Sequence, residues 1–266
     1  MGGAADDGLP AWVTLLRAPN PGPMTLDGTN TWVLRAPGET LGVVIDPGPL
    51  DESHLARIAE HGPFRSILIT HGHYDHVEGA ARLSRLLGGT PVLAADDEHG
   101  EPFDGYLGDS DGLDLKKIDT PGHTADSVCF LVEHGNVRAM FTGDTILGRG
   151  STVVAAPDGD LGSYLTSLET LSAYPNVLML PGHGPAQDDV AALARGYLDH
   201  RRERLAQVVA AVEAGAETPE QVVDLVYPDI DSAIRFAAIF SAKAQLDYLH
   251  HKNRESGTRA NGLDRL

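Results

Sequence analysis

Seven side chains suited to metal binding fall in four short clusters, and each cluster stands where a strand-like run ends. The densest is Thr70-His71-Gly72-His73-Tyr74-Asp75-His76. The others are Pro121-Gly122-His123, Thr142-Gly143-Asp144 and Pro181-Gly182-His183-Gly184. Five His and two Asp are enough for two adjacent metal sites. Such sites make hydroxide from water at neutral pH, so the pattern points to hydrolysis. Two cations about 3.5–4 Å apart repel strongly and need a shared carboxylate, for which Asp144 is the candidate.

The first cluster has a readable geometry. Phe64 to Thr70 is an apolar run of strand length. Residues two apart in extended chain point the same way, so His71 and His73 can clasp one ion. Val77 to Leu87 then carries apolar residues at helical spacing. Asp75 and His76 therefore lie at the turn into a helix, where they can face a second ion.

His71 to His76 form an HxHxDH motif, followed in order by PGHT at His123, TGD at Asp144 and PGHG at His183. This series resembles the metallo-β-lactamase superfamily. The resemblance implies a first site of His71, His73 and His123 and a second of Asp75, His76 and His183, bridged by Asp144. Asn20 to Trp32, Gly143 to Val153 and Tyr164 to Leu171 further resemble the β-lactamase-like protein 2 branch, over about residues 19 to 250. Animal members of that branch are single-strand endoribonucleases, and many bacterial relatives are described only as metal-dependent hydrolases. One fold hosts many chemistries, so the branch fixes the substrate poorly.

The implied enzyme is a dinuclear hydrolase. A metal-bridging hydroxide would cleave an ester, thioester or phosphodiester, with Asp75 as the catalytic residue that orients it. Two zinc ions per chain are expected, with iron or manganese as substitutes. Single-strand endoribonuclease activity is one alternative. Another is a mononuclear iron persulfide dioxygenase, whose ion would be held by His71, His123 and Asp144; imidazole and carboxylate suit Fe(II) as well as zinc. Authentic di-zinc β-lactamases commonly have Cys where Asp144 stands. Flavodiiron oxidoreductases have Glu where His73 stands. Glyoxalase II usually continues its motif with a Gly pair, whereas this chain has Glu78-Gly79.

Chain length and charge set further bounds. A 266-residue chain with 42% hydrophobic residues can bury a full core. Its longest apolar stretches are too short to span a membrane. Residues 1–10 lack the basic start and apolar core of a secretory signal and read as a flexible end. A single cysteine, Cys129, allows no internal disulfide and fits a reducing cytoplasm; it reads as a buried strand residue. Net charge is −18. Residues 1–190 hold 10 Lys/Arg against 27 Asp/Glu, while residues 191–266 hold 10 against 11. So acidic a first part is a poor general binder of nucleic acid. The expected partner is a small-molecule or anionic substrate, RNA being the macromolecular option, with no membrane.

Strands at about 31–34, 42–45, 65–69, 91–94, 115–118, 127–132, 137–142 and 177–180 alternate with helices at 53–60, 77–87 and 161–171. Residues 96–111 read as a loop. The fold class is therefore α+β, an αββα sandwich with helices outside two facing sheets. Residues 11–190 form the expected catalytic domain. Residues 191–252 form a helical extension that resembles a winged helix, and residues 253–266 a flexible tail. The extension contains helices at 190–214, after the Thr218-Pro219 start and at 232–250; no strand pattern for a wing follows. Arg195, Arg201, Arg202 and Arg204 read as a local basic edge that helps hold an anion near the metal cleft.

Outside the metal set, His54, His61, His99, His134, His200, His250 and His251 lack ligand spacing and read as surface or structural. Asp46 reads equally as a turn cap or as support for the metal loop. By the family resemblance Asn30 and Thr31 would line the mouth of the site; equally, they read as stabilising a turn. Tyr74 edges the pocket, and Arg149 meets solvent or an anionic substrate.

Overall fold

Alternation along the strands divides the core into layers. In a computed structural model that describes residues 8–103 and 107–256, one sheet has the order β1-β2-β3-β4-β5: Val13–Arg17, Asn30–Leu34, Gly42–Ile45, Phe64–Leu68 and Val92–Leu93. The other has the order β10-β9-β8-β7-β6: Leu178–Pro181, Val137–Gly143, Val128–His134, Leu113–Asp119 and Gly108–Ser110. Trp32, Leu34, Ile45 and Leu68 face Phe130, Val132, Phe141 and Leu180 between the sheets. Their neighbours Val33, Val44 and Ile67 face outward, beneath helices α1 (Glu52–Glu60) and α3 (Ala80–Leu86). On the far side Cys129, Leu131 and Met140 pack under α4 (Leu161–Leu171) and α5 (Val190–Glu213). The period of two thus produces the αββα sandwich. Each large apolar side chain fully buried in it contributes about 1.5–3 kcal/mol.

Some sequence expectations need correction. β1 falls in Val13–Arg17, which the sequence reading left without structure. β6 lies inside the expected 96–111 loop and pairs with β7. The expected helix 77–87 is two pieces, α2 (Tyr74–Val77) and α3, separated at Glu78-Gly79. At Gly79 a Cβ would lie 2.8 Å from Leu55 Cδ2 and 3.0 Å from Gly48 O. The chain must pass this close to the Asp46–Gly48 turn, and only glycine fits.

α5 belongs to two cores. Its first half packs on α4 through Val190, Ala194 and Leu198, and its second half meets α6 (Pro219–Val226) and α7 (Arg235–Ser256) through Val208 and Val212. Thr218 caps α6 by accepting from Gln221 N. Ala244 and Tyr248 of α7 return to the α4–α5 core, so the helical part is joined to the sandwich along two helices. α7 runs past the expected end at residue 250 to Ser256, the last described residue, so the place where a wing would follow lies outside the described residues. The expected flexible ends fall largely on residues 1–7 and 257–266, outside the described residues. Among the described residues no helix is long and apolar enough to cross a membrane.

Candidate metal centre

Every one of the seven sequence-selected residues reaches the same end of the sandwich. His71 and His73 follow β4, Asp75 and His76 sit on the short helix α2, and His123, Asp144 and His183 follow β7, β9 and β10. His73 Nδ1 lies 3.1 Å from His71 Nε2 and 3.0 Å from His123 Nε2. A second group forms where His183 Nε2 lies 3.2 Å from both His76 Nε2 and Asp75 Oδ2. Asp144 stands between the groups. Its Oδ1 is 3.5 Å from His76 Nε2 and from His183 Nε2, and its Oδ2 is 3.8 Å from His123 Nε2.

Hydrogen bonds on the outer faces of the rings fix which nitrogen points inward. Thr70 Oγ1 donates to Asp46 Oδ2, so its oxygen accepts from His71 Nδ1 at 3.0 Å. His76 Nδ1 donates to Asp46 Oδ2 at 2.8 Å, His123 Nδ1 to Val153 O at 2.8 Å, and His183 Nδ1 reaches Gly28 O at 3.4 Å. With Nδ1 protonated, the neutral rings of His71 and His123 present an Nε2 lone pair to the centre, as those of His76 and His183 do once a metal displaces their second proton. Asp144 Oδ1 is buried and has no hydrogen-bond donor. Lone pairs facing one another around an orphaned carboxylate oxygen repel unless a cation lies among them. The donor set, imidazole nitrogen and carboxylate oxygen, fits divalent zinc, iron or manganese.

Charge divides the two groups. Burial and the neighbouring histidines hold His71 well below the usual imidazole range, and burial lowers His123 too. Burial also works against charge on His183, but Asp144 and Asp75 outweigh it and push the ring up to about 10. His76 is raised in the same way by Asp144, Asp46 and Asp75. Burial opposes ionisation of Asp144, yet His183 and His76 hold it well below the usual carboxylate range.

Asp46 supports the metal loop and does so from full burial, accepting from Thr70 N, Thr70 Oγ1 and His76 Nδ1. Asn30 is also buried; its Nδ2 donates to Pro181 O and Gly184 O, which sets the loop that carries His183. Thr31 Oγ1 donates to Asp46 O and meets His54 Nε2 at 2.9 Å, so His54 is a buried structural residue. His99 is more than a surface residue: with Asp96 and Asp126 it forms a third His/Asp group, backing onto Gly72 between two of the sequence-selected histidines. Sequence gave no signal for the full group, since Asp126 joins Asp96 and His99 from a second loop. Arg149 pairs with Asp27 at 2.9 Å, and Tyr74 stands exposed. Burial pushes the Cys129 thiol up to about 11, which leaves it inert.

The expected basic edge on α5 divides. Arg195 and Arg202 are exposed, but Arg201 is buried, with Nη2 donating to Thr152 O and the guanidinium 5.1 Å from the Tyr164 ring. Here α5 crosses the segment after β9, whose carbonyls draw the guanidinium inward. A cavity of about 630 Å³ lies between this part of α5, α7 and the metal-centre residues His123 and Asp144. His200, which the sequence left as surface or structural, lines it.

Comparisons with known proteins agree with this geometry. A family model for the metallo-beta-lactamase superfamily matches residues 24–110 and 92–183. The chain is 34% identical over 256 residues to a beta-lactamase-like protein 2 homolog of Caenorhabditis elegans, covering 89% of this chain and 83% of that protein. It is 31% identical over 247 residues to an atrochrysone carboxyl ACP thioesterase of Aspergillus fumigatus, covering 82% and 75%. Among solved structures, a beta-lactamase domain protein from Burkholderia ambifaria superposes with a TM-score of 0.78 at 21% identity, over 95% of this chain and 90% of that one.

Proposed function

The chain belongs to the metallo-beta-lactamase superfamily and is a metal-dependent hydrolase, and from that premise we propose that it is a dinuclear zinc enzyme cleaving an ester, thioester or phosphodiester bond. One observation carries this reading: the two oxygens of Asp144 face different ligand groups. His71, His73 and His123 would hold the first ion and Asp75, His76 and His183 the second, with Asp144 as the carboxylate they would share. Two divalent ions held there would lower the pKa of water to about 7 and polarise the scissile oxygen. Asp75 remains ionised because His76 and His183 offset the cost of its burial. Its carboxylate orients the attacking water and takes up a proton from it.

The second ligand group favours this reading over a mononuclear iron oxygenase, which would need only His71, His123 and Asp144. Similarity to a beta-lactamase-like protein 2 homolog keeps single-stranded RNA among the substrates to test, and similarity to a thioesterase adds thioesters. Residues 11–190 act as the catalytic unit in a reducing cytoplasm, and residues 191–252 form the extension that borders it. The test is metal analysis of protein purified without added metal, combined with assays on an ester, a thioester, a phosphodiester and a short RNA. About two zinc per chain with hydrolysis supports the proposal. One iron per chain without hydrolysis overturns it.

A further inference from the structure

The cavity beside the metal centre has a chemical character of its own. Met24 and Leu26 form one wall, Val153 the floor near His123, and Ile230, Ile234 and Ala237 the wall from the helical extension. A smaller hollow of about 190 Å³ continues to His73 between Met24, Phe236 and Phe240. Met24, Ile234, Phe236 and Phe240 are each 40–48% exposed, so large apolar side chains stand open to solvent around this one mouth. An apolar cavity of this size is that of a small-molecule site.

One wall carries charge. His200, Arg201 and Arg204 line it along α5. Arg201 is 4% exposed, its Nε has no hydrogen-bond partner, and it forms no ion pair among the described residues. Buried charges are normally paired. The acids that line the cavity are Asp144, which belongs to the metal centre, and Asp229, which is exposed at the rim. Arg149, also on the lining, is already paired with Asp27. The cavity therefore joins an apolar body to a cation that contacts Thr152 O and the Tyr164 ring but has no acidic partner among the described residues, and it opens on the metal centre.

We propose that this cavity is an acyl pocket, and that its substrate is an ester or thioester whose acyl chain is apolar along its length and ends in a carboxylate received by Arg201, with Arg204 beside it. This rests on the hydrolase reading above. The scissile carbonyl sits at His123 and Asp144, and the leaving alcohol or thiol points to solvent. Water adds to the carbonyl carbon and the C–O or C–S bond breaks. The acyl half leaves as a carboxylate, one proton goes to the alcohol or thiol, and one goes to solvent. No oxidant or further reactant is needed.

Zinc-loaded full-length protein is assayed with 4-nitrophenyl butanoate, 4-nitrophenyl octanoate and the mono-4-nitrophenyl ester of octanedioic acid. Expected kcat/KM rises at least about tenfold from butanoate to octanoate and about tenfold again with the terminal carboxylate. Ala237→Trp fills the cavity, so, in protein whose melting matches wild type, it should raise KM for the two long esters several-fold more than for butanoate. Arg201→Met should remove the carboxylate preference, read as the ratio of kcat/KM for the octanedioate ester to that for octanoate. Because Arg201 is buried, its variant is checked by thermal melting, and Arg204→Met serves as a second variant that should weaken the same preference. Calorimetry on chelator-treated protein gives a readout independent of the metals: octanedioate should bind more tightly than octanoate, and Arg201→Met should abolish the difference. Ester hydrolysis that ignores chain length, or a carboxylate preference retained in both arginine variants, overturns the pocket while leaving the hydrolase standing. Rates set by the leaving group and not by the acyl chain, or cleavage of single-stranded RNA alone, overturn it too. Loss of hydrolysis on every ester and thioester overturns the hydrolase reading, and the pocket with it.

Discussion

Asp46 Oδ2 lies 2.8 Å from His76 Nδ1, a contact between residues thirty apart in the chain and wholly buried. The same oxygen accepts from Thr70 Oγ1, whose own oxygen meets His71 Nδ1, so one carboxylate sets the rings of both ligand groups. Asp46→Ala would free His76 to rotate and strand buried donors on Thr70. Such outer hydrogen bonds are worth about 10–100-fold in metal affinity. The expected result is a loss of that order, read by competition with a chromogenic chelator, together with a lower melting temperature of the metal-free protein. Unchanged affinity would remove Asp46 from the metal loop's support.

Asp144 offers one oxygen to each group. Asp144→Ala should bring metal content toward one ion per chain and reduce hydrolysis by at least about a hundredfold. His134→Ala, whose Nδ1 only meets Gly112 O at 2.7 Å, should keep the full metal content. Two ions retained in the Asp144 variant would sink the bridge.

The two groups should part company with pH. His71 and His123 are held below the usual imidazole range, so they are neutral without metal and remain ready to bind as the medium turns mildly acidic. His183, pushed up to about 10, and His76, also raised, carry protons in the metal-free protein that a metal must displace. Affinity at the second group therefore falls as pH drops, and binding there releases protons. Dialysis from pH 8 to pH 6 should take metal content from two ions toward one, the second group emptying first. Simultaneous loss of both ions would contradict this difference.

Gly182 tests how tightly the centre is built. A Cβ there would lie 2.7 Å from both Asp144 Oδ1 and His76 Cε1. Gly182→Ala should therefore displace the bridge and His76 while leaving the distant α1–α3 core intact. Expected are weakened metal binding at the second group and at least about a tenfold fall in hydrolysis, with the far-ultraviolet circular dichroism of the wild type. Wild-type activity in this variant would show that the loop can yield.

A buried histidine outside the metal set gives a stability test. Burial lowers His54 to about 4. A ring neutral when folded and protonated when unfolded destabilises the fold as pH falls below about 6.5, and the effect is complete near pH 4. The loss amounts to about 3 kcal/mol at most. His54→Gln cannot ionise and can still donate to Thr31. The metal-free variant should lose less stability than wild type between pH 7 and pH 5 in urea titrations. Parallel losses in the two proteins would place the titration elsewhere.

The sequence by itself determined what short-range patterns encode. Short apolar runs placed Gly42–Ile45 and most other strands. Thr218 marked a helix start, and four motifs at strand ends named the seven residues that converge. Such signals survive because each lies within a few residues of chain. The structure decided what depends on distant segments meeting. Val13–Arg17 is a strand because it pairs with β2, and Gly108–Ser110 because it pairs with β7, not from any strong pattern of their own. Asp46 became a partner of His76 only when β3 and β4 lay side by side. Arg201 looked like a surface arginine until α5 crossed the segment after β9 and buried it beside the metal centre. Burial, register and the facing of one lone pair toward another are properties of packed pairs, and no single stretch of sequence contains both members.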